Sequence, residues 1–415
     1  MKQSVKHKTL FRWKGKENMD RKRIAIVGTN FAGYTAAIEL KELVGDNHDI
    51  VVIANTHKFL FFPSLIWYPF GLREEKDITF DVRPIYQSHR IGFIEAEVTG
   101  FDPEQNRVLL KDQEPVTYDY LIIGTGPKVD YDYIPGLREH SQSIVGLAPA
   151  HRTREAWNKF LSDPGPVVIA SAQGAACFGA AYEFLFNVRY QLSKHHLQDK
   201  APLSYVTAEP FAAHFGIGGF GNAQKMCEWM FSHYHISPHY NAVIQEVRAD
   251  GVVLADGTFF PSKFTMVMPR FVGIDAVRNT KGLANANGFL EVDDSYQHPT
   301  YRNIYAAGVA VAVKPPSETP VPCGVPKTGY PTEQMAKTAV KNIIADIKGL
   351  PKQHAKFDDM AAYCIMDTGN MGMVIVGDHM LSPREHEFII PGPEAHWAKV
   401  AFEKYFLYSR RHAHV

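Results

Sequence analysis

Short apolar runs, small-residue turns and helical stretches follow one another in a recurring order along this chain. Arg23-Ile24-Ala25-Ile26-Val27 predicts a buried strand, then Gly28-Thr29-Asn30-Phe31-Ala32-Gly33 a turn, then a helix through about Leu43. Residues 49–55, 91–98 and 120–123 predict further strands, with a hairpin closed over residues 112–118. The order then restarts. Val167-Val168-Ile169-Ala170 predicts a strand, residues 171–183 a turn of small residues, and Tyr182-Glu183-Phe184-Leu185-Phe186 the start of a helix. Strands follow over residues 203–209, 242–249, 251–255 and 264–268. Residues 301–308 read as strand then glycine, and residues 331–349 as a long helix. After a linker at 351–357, Cys364 lies in a strand-like run. A helix at about 396–408 closes the pattern, its Trp397, Val400, Ala401, Phe402, Tyr405 and Phe406 sharing one apolar region.

Strand, glycine-rich turn and helix, occurring twice, is the plan of a dinucleotide-binding crossover. It predicts an α/β protein with two Rossmann-like domains and a small C-terminal α+β segment ending in an amphipathic helix. The expected divisions are a basic tail at 1–22, a discontinuous first domain at 23–130 and 285–350, a second domain at 131–284, and the C-terminal segment at 351–415. In the first turn Asn30 stands at the second glycine position, where tolerance of positive φ would preserve the turn. Gly28 and Gly33 let amides approach a pyrophosphate at the helix N-terminus. The acid expected beside a ribose is replaced by Ala54 and Asn55.

The second turn carries Cys177 where a nicotinamide dinucleotide needs open space. A helix N-terminus lowers a thiol's pKa, which points to a redox-active sulfur. The alternative is an ordinary buried cysteine. The aromatic stretch at 58–70 reads either as core or as a loop beside a flat ring or a lipid surface.

The 415 residues suffice for two or three domains, and 44 basic residues balance 44 acidic ones, so no global charge points to nucleic acid. Cys177, Cys227, Cys323 and Cys364 are widely spaced, with no Cys-x-x-Cys and no metal-ligand pattern. So few cysteines in a large chain argue against a disulfide-stapled secreted scaffold, and a pair among them points to catalysis rather than structure. No apolar run reaches the length of a membrane span. Residues 1–23 are basic without a signal-peptide core, and read as a solvated tail or a contact to anionic lipid.

Several segments are specific in combination. They are Tyr118-Asp119-Tyr120-Leu121 with Gly124-Thr125-Gly126-Pro127-Lys128, and Cys177-Phe178-Gly179 with Ala181-Tyr182-Glu183. The others are Asn303-Ile304-Tyr305-Ala306-Ala307-Gly308, Val325-Pro326-Lys327-Thr328-Gly329-Tyr330 and Ala398-Lys399-Val400-Ala401-Phe402-Glu403-Lys404-Tyr405-Phe406. With them the chain resembles the flavin disulfide-reductase-like superfamily and, within it, the sulfide:quinone oxidoreductases, from about Ile24 to Phe406.

The resemblance implies FAD in the first domain, with Gly28, Asn30, Phe31, Ala32 and Gly33 at the pyrophosphate. Ala54 and Asn55 fall beside the adenosine ribose and Val98 beside the adenine. Pro63, Thr125, Gly126, Gly308 and Val309 fall along the cofactor, and Lys327 and Lys399 near the flavin ring. It implies a redox pair, Cys177 and Cys364, facing one side of the ring, with Cys364 nearer by family analogy. A quinone faces the other side, near Ile365 and Phe402. Glu183 and His214 match sulfur-side positions that accept protons; their alternatives are a helix-surface acid and a satisfied polar loop residue.

The activity implied is oxidation of hydrogen sulfide to sulfane sulfur or polysulfide, with electrons passing through FAD to a membrane quinone. Peripheral attachment to the membrane surface follows from the same resemblance, with a homo-oligomer left open. The chain departs from many relatives at Val145, where they carry a third cysteine, and at Pro149, where they carry histidine. Cys323 is extra, either a third redox sulfur or an inert small residue, and Cys227 reads as core. Relatives continue with amphipathic helix where this chain stops at Val415, so anchoring is expected to be weaker or shared among protomers. The alternatives are a flavocytochrome-type sulfide dehydrogenase with a cytochrome acceptor, an NADH:quinone oxidoreductase, and a sulfane-sulfur carrier or sensor without turnover.

Overall fold

The computed structural model describes residues 21–415, so residues 1–20 of the expected basic tail lie outside the described residues. Five parallel strands form the first sheet, in the order Ile304–Ala306, Tyr120–Ile123, Arg23–Val27, Asp49–Ala54 and Gly92–Glu95. Ile24, Ala25, Ile26, Leu121, Ile122 and Ile123 are wholly buried. Continuous apolar strands of this kind require cover on both faces. The helices Phe31–Val44 and Gly329–Lys348 pack along one another beside this sheet.

The second sheet has four parallel strands, in the order Ile236–His239, Leu203–Thr207, Val167–Ser171 and Phe264–Met268. Helix Phe178–Lys194 leaves its central strand through the Cys177 turn and packs back onto it. A third sheet is antiparallel: Ala362–Asp367, Gly372–Gly377 and Glu387–Gly392, with helix Pro393–Arg411 against it. Both open parallel sheets carry a Rossmann-like strand order, and the fold is α/β as the sequence pattern requires.

One strand expectation changes, and one open alternative is decided. The strand read over residues 91–98 is broken: the Ala96 N–H donates to the Ala54 carbonyl at 2.8 Å, ending the parallel ladder. The chain then enters a separate antiparallel meander at Val98–Asp102. The aromatic stretch resolves as core, with Phe59, Phe61, Leu65, Ile66, Trp67 and Tyr68 buried and Phe62 exposed.

The C-terminal helix is the larger departure. Phe406 leaves the expected apolar face and packs inward on Phe31 and Phe61, at ring separations of 5.3 and 5.0 Å. Lys399, Glu403 and Arg410 point inward with it, while Trp397, Phe402, Tyr405 and Tyr408 stand 43–71% exposed. The helix thus buries charges and exposes aromatic rings. Burying charge is tolerable only with partners. Lys399 meets Glu183, Arg73 meets Glu403 at 2.8 Å, and Arg410 meets Glu333 at 2.5 Å. Among the described residues no helix is long and apolar enough to cross a membrane.

Candidate active site

The first turn is shaped by close backbone approach. Gly28 has φ +111°, and a Cβ there would lie 2.3 Å from the Gly124 carbonyl oxygen. A Cβ on Gly33 would lie 1.9 Å from the Gly28 carbonyl oxygen. Asn30 is not left-handed: its φ is −101°, and its side chain caps helix Phe31–Val44 by accepting the Phe31 N–H at 3.0 Å. The positive φ belongs to Gly28, so Asn30 serves the turn as a cap. No acid occupies the helix's first turn, which leaves an electropositive end suited to a pyrophosphate.

Gly308, with φ +72°, lies close to Thr332 and Ala32, and Gly126, with φ +71°, faces open space. Val309 and Thr125 flank them, half-buried, as is Val98 in its meander. Ala54 is buried and Asn55 exposed at the end of their strand, and Pro63 lies in the short helical turn Phe62–Ser64. Lys327 donates to the Val311 carbonyl at 2.6 Å and lies 4.4 Å from the centre of the Phe289 ring. Burial pushes its amine down to about 8. Small residues where a cofactor chain passes, an acid-free helix end and a desolvated cation together fit FAD.

The second turn is built differently. The Gly174 N–H donates to the Pro322 carbonyl at 2.6 Å, and the Gly324 N–H to the Ala175 carbonyl at 2.8 Å. Segment 322–324 therefore seals the turn, with Cys323 buried and its sulfur 3.6 Å from the Val321 carbonyl. Glu209, the acid after the second strand, is also sealed. It accepts from Tyr182 Oη at 3.0 Å, Tyr205 Oη at 3.2 Å, Thr207 Oγ1 at 2.9 Å and the Phe215 N–H at 2.7 Å. Burial pushes its carboxyl up to about 7. The Gly174 amide is thus used within the fold and the acid is turned inward, so neither is free to hold a second dinucleotide.

Cys177 caps helix Phe178–Lys194, yet burial outweighs the helix end and raises its thiol to about 11, the Ala180 N–H pulling the other way. The expectation of a lowered pKa is thus reversed by desolvation. Cys364 sits mid-strand in Ala362–Asp367. It reaches solvent, but protein crowds its sulfur, and burial followed by the Glu183 charge raises it to about 12. Lys399 opposes that rise, and Cys177 adds to it. Cys177, Cys364, Glu183 and Lys399 therefore share one electrostatic neighbourhood, and all four cysteines are free thiols.

Glu183 is buried rather than on the helix surface. Its carboxylate accepts from Lys399 Nζ and from the Asp367 N–H at 2.6 Å. Burial raises its pKa and the Lys399 charge opposes the rise. His214 is buried in a loop where Ala213, Phe215, Gly216, Gly218 and Gly219 all have positive φ. Its Nδ1 accepts the Gly216 N–H at 3.2 Å, and burial lowers its pKa, favouring the neutral ring. Gly216 packs against Phe178 and Gly324, so this loop stands behind the Cys177 turn.

Ile365 follows Cys364 on the strand and so points to the opposite sheet face. Phe402 is exposed and contacts Phe61 at 6.0 Å. Val145 is half-buried and Pro149 lies in helix Leu147–Ser162. Cys227 is core, as read. Sequence reasoning missed Asp367, which is wholly buried and accepts from Trp67 Nε1, Gly369 N–H and His396 Nδ1. An acid inside an apolar strand, and a histidine one turn before Lys399, were the available signals.

Residues 22–169 match the family described as pyridine nucleotide-disulphide oxidoreductase. Over 95% of its length the chain is 35% identical to the sulfide-quinone reductase of Aquifex aeolicus (strain VF5), covering 92% of that protein. The chain belongs to the sulfide:quinone oxidoreductase family. The solved sulfide:quinone oxidoreductase of Aquifex aeolicus superposes with a TM-score of 0.91 at 34% identity, over 95% of this chain and 92% of that one. The mitochondrial sulfide:quinone oxidoreductase of Dictyostelium discoideum is 26% identical over 81% of this chain and 73% of that protein. As a member of the sulfide:quinone oxidoreductase family, the protein is an oxidoreductase with FAD as its cofactor.

Proposed function

We propose that this enzyme oxidises sulfide at Cys177 and Cys364 and delivers the electrons to a membrane quinone. The supporting observation is the shared field of the two thiols with Glu183 and Lys399. Gly28, Asn30, Phe31, Ala32, Gly33, Gly126, Gly308 and Lys327 hold the cofactor, with Ala54, Asn55, Pro63, Val98, Thr125 and Val309 along it. When bound, FAD supplies the two-electron acceptor between sulfur and quinone.

The chain's own residues manage the sulfur and its protons. In the oxidised pair, hydrosulfide attacks one sulfur; a new S–S bond forms and the Cys177–Cys364 bond breaks. One cysteine becomes a persulfide and the other leaves as a thiolate, so the step conserves electrons. Desolvation makes that thiolate costly, and the Lys399 ammonium offsets the cost. Glu183, held between Lys399 and the Asp367 N–H, takes the proton of the incoming sulfur species. His214, kept neutral by burial, is a second acceptor one layer back. Each further round needs the persulfide and thiolate rejoined through an S–S bond, with the two electrons released going to the acceptor that bound FAD would supply; hydrosulfide then attacks that bridge, and the sulfur chain lengthens into a polysulfide.

Trp397, Phe402, Tyr405 and Tyr408 dock the protein on the membrane surface, since amphipathic rings favour the headgroup region. A quinone then reaches Ile365 and Phe402 from the lipid. Mixing the yellow protein anaerobically with sulfide, then with decylubiquinone or cytochrome c, tests this reading. Bleaching by sulfide and recovery with the quinone are expected. Recovery only with cytochrome c favours a cytochrome acceptor, and flavin that sulfide cannot bleach defeats the proposal.

A further inference from the structure

Asp367 and His396 form a dyad whose side chains have no part in the proposed sulfur chemistry. Asp367 ends strand Ala362–Asp367 and is wholly buried. Its carboxylate accepts from Trp67 Nε1 at 2.8 Å, the Gly369 N–H at 3.0 Å and His396 Nδ1 at 2.5 Å. An acceptor at Nδ1 fixes the imidazole orientation and its proton there, leaving Nε2 as the exchanging nitrogen. Nε2 has no hydrogen-bond partner among the described residues. The His396 side chain is 20% exposed, and the next residue, Trp397, stands 67% exposed on the outward aromatic face. One side of the ring is therefore tied to an interior acid while the ring is partly open to the surface beside Trp397, on the helix proposed to dock on the membrane.

The surrounding charges are paired. Glu183 and Lys399 bind each other, and Glu183 accepts the Asp367 N–H. Arg73 covers the Trp67 ring at 4.5 Å and binds Glu403. On the dyad's own helix, Glu394 is exposed. His396 thus joins the buried Asp367 carboxylate to the surface.

A quinone becomes a quinol by gaining two electrons and two protons. We infer that His396 is a proton donor to the quinone and that Asp367 is its positioning residue, an inference that rests on the proposed quinone acceptor. As the two electrons from sulfur reach the quinone, the Nε2–H bond of the imidazolium breaks and an O–H bond forms on a quinone oxygen. Water supplies the second proton and reprotonates the ring. Asp367 holds the ring in place through the hydrogen bond at Nδ1 throughout.

The test follows the two half-reactions of the holoenzyme separately, in wild type, His396→Ala and His396→Asn. The Asn amide preserves a donor for Asp367 but carries no exchangeable acid. Sulfide bleaching should stay within about twofold in both variants, while reoxidation by decylubiquinone slows by about 100-fold, a typical general-acid contribution. Added imidazole should restore the Ala variant. In wild type, decylubiquinone should shift the 13C NMR signal of the His396 ring, and sulfide should not. Normal reoxidation in the Asn variant, a parallel loss of both half-reactions, no imidazole rescue or an unmoved resonance would each overturn the inference. Wild-type flavin that sulfide cannot bleach would instead defeat the sulfide reading, and the quinone-induced shift would still decide on His396.

Discussion

Lys399 and Glu183 form a buried ion pair that ties the C-terminal helix to the helix beginning after Cys177. The pair has two consequences, one for stability and one for sulfur chemistry. Lys399→Met leaves a buried carboxylate without its cation, which costs about 3–5 kcal/mol and lowers the melting temperature. Adding Glu183→Gln should restore most of that stability, because the uncompensated charge is gone. Sulfide bleaching should stay impaired in the double variant. Thermal melts beside stopped-flow bleaching separate the effects, and full recovery of both would reduce the pair to a structural role.

The cysteines divide into two classes. Cys177→Ser and Cys364→Ser should each abolish flavin reduction by sulfide, whereas Cys227→Ser and Cys323→Ser should largely spare it. In the reduced protein, thiols raised to about 11 and about 12 are protonated at neutral pH. Alkylation by iodoacetamide should therefore stay slow at pH 8 and climb steeply above pH 10. Fast labelling of Cys177 at pH 7 would show that the helix end, not burial, controls this thiol.

The periodic parts of the chain were legible because they are repetitive and apolar. Val167–Ser171 and Arg23–Val27 announce buried strands by composition, and Gly28 and Gly33 announce a close turn by lacking a side chain. What stayed hidden depends on tertiary contact. Whether Cys177 is acidic depends on how deeply it is buried, and the periodicity of its helix cannot report that. Nor can sequence show that Lys399 and Glu403 face inward, because their partners Glu183 and Arg73 lie 216 and 330 residues away. Asn30 was misread because its residue type suits two roles, left-handed turn and helix cap, and Gly28 two residues earlier already takes the first.

The cofactor cradle should fail by overlap. A Cβ at Gly33 would meet the Gly28 carbonyl at 1.9 Å, and that backbone atom cannot swing aside. Gly33→Ala should therefore yield colourless or poorly folded protein. Asn30→Ala removes the side-chain cap that steadies the cofactor turn, costing about 1 kcal/mol, but leaves the turn's backbone in place, so it should still bind FAD, less tightly, with a modestly lowered melting temperature. The flavin-to-protein absorbance ratio distinguishes the two, and yellow Gly33→Ala protein would contradict the packing.

Glu209 gives a pH dependence with a definite sign. Its folded pKa, about 7, lies above the ordinary glutamate value because burial without a cation favours the protonated form. Below about pH 4.5 both folded and unfolded chains hold this proton, and its stabilising effect is complete. As pH rises toward 7 the unfolded chain releases the proton first, so the group's contribution is lost through that window. The loss amounts to roughly 3 kcal/mol. Glu209→Gln removes the titration while keeping an acceptor for the Phe215 N–H. The variant should therefore gain on wild type between pH 5 and pH 8, read as a shrinking difference in melting temperature. Parallel melting curves across that range would mean that Glu209 is already ionised in the fold, held by its three hydroxyl donors.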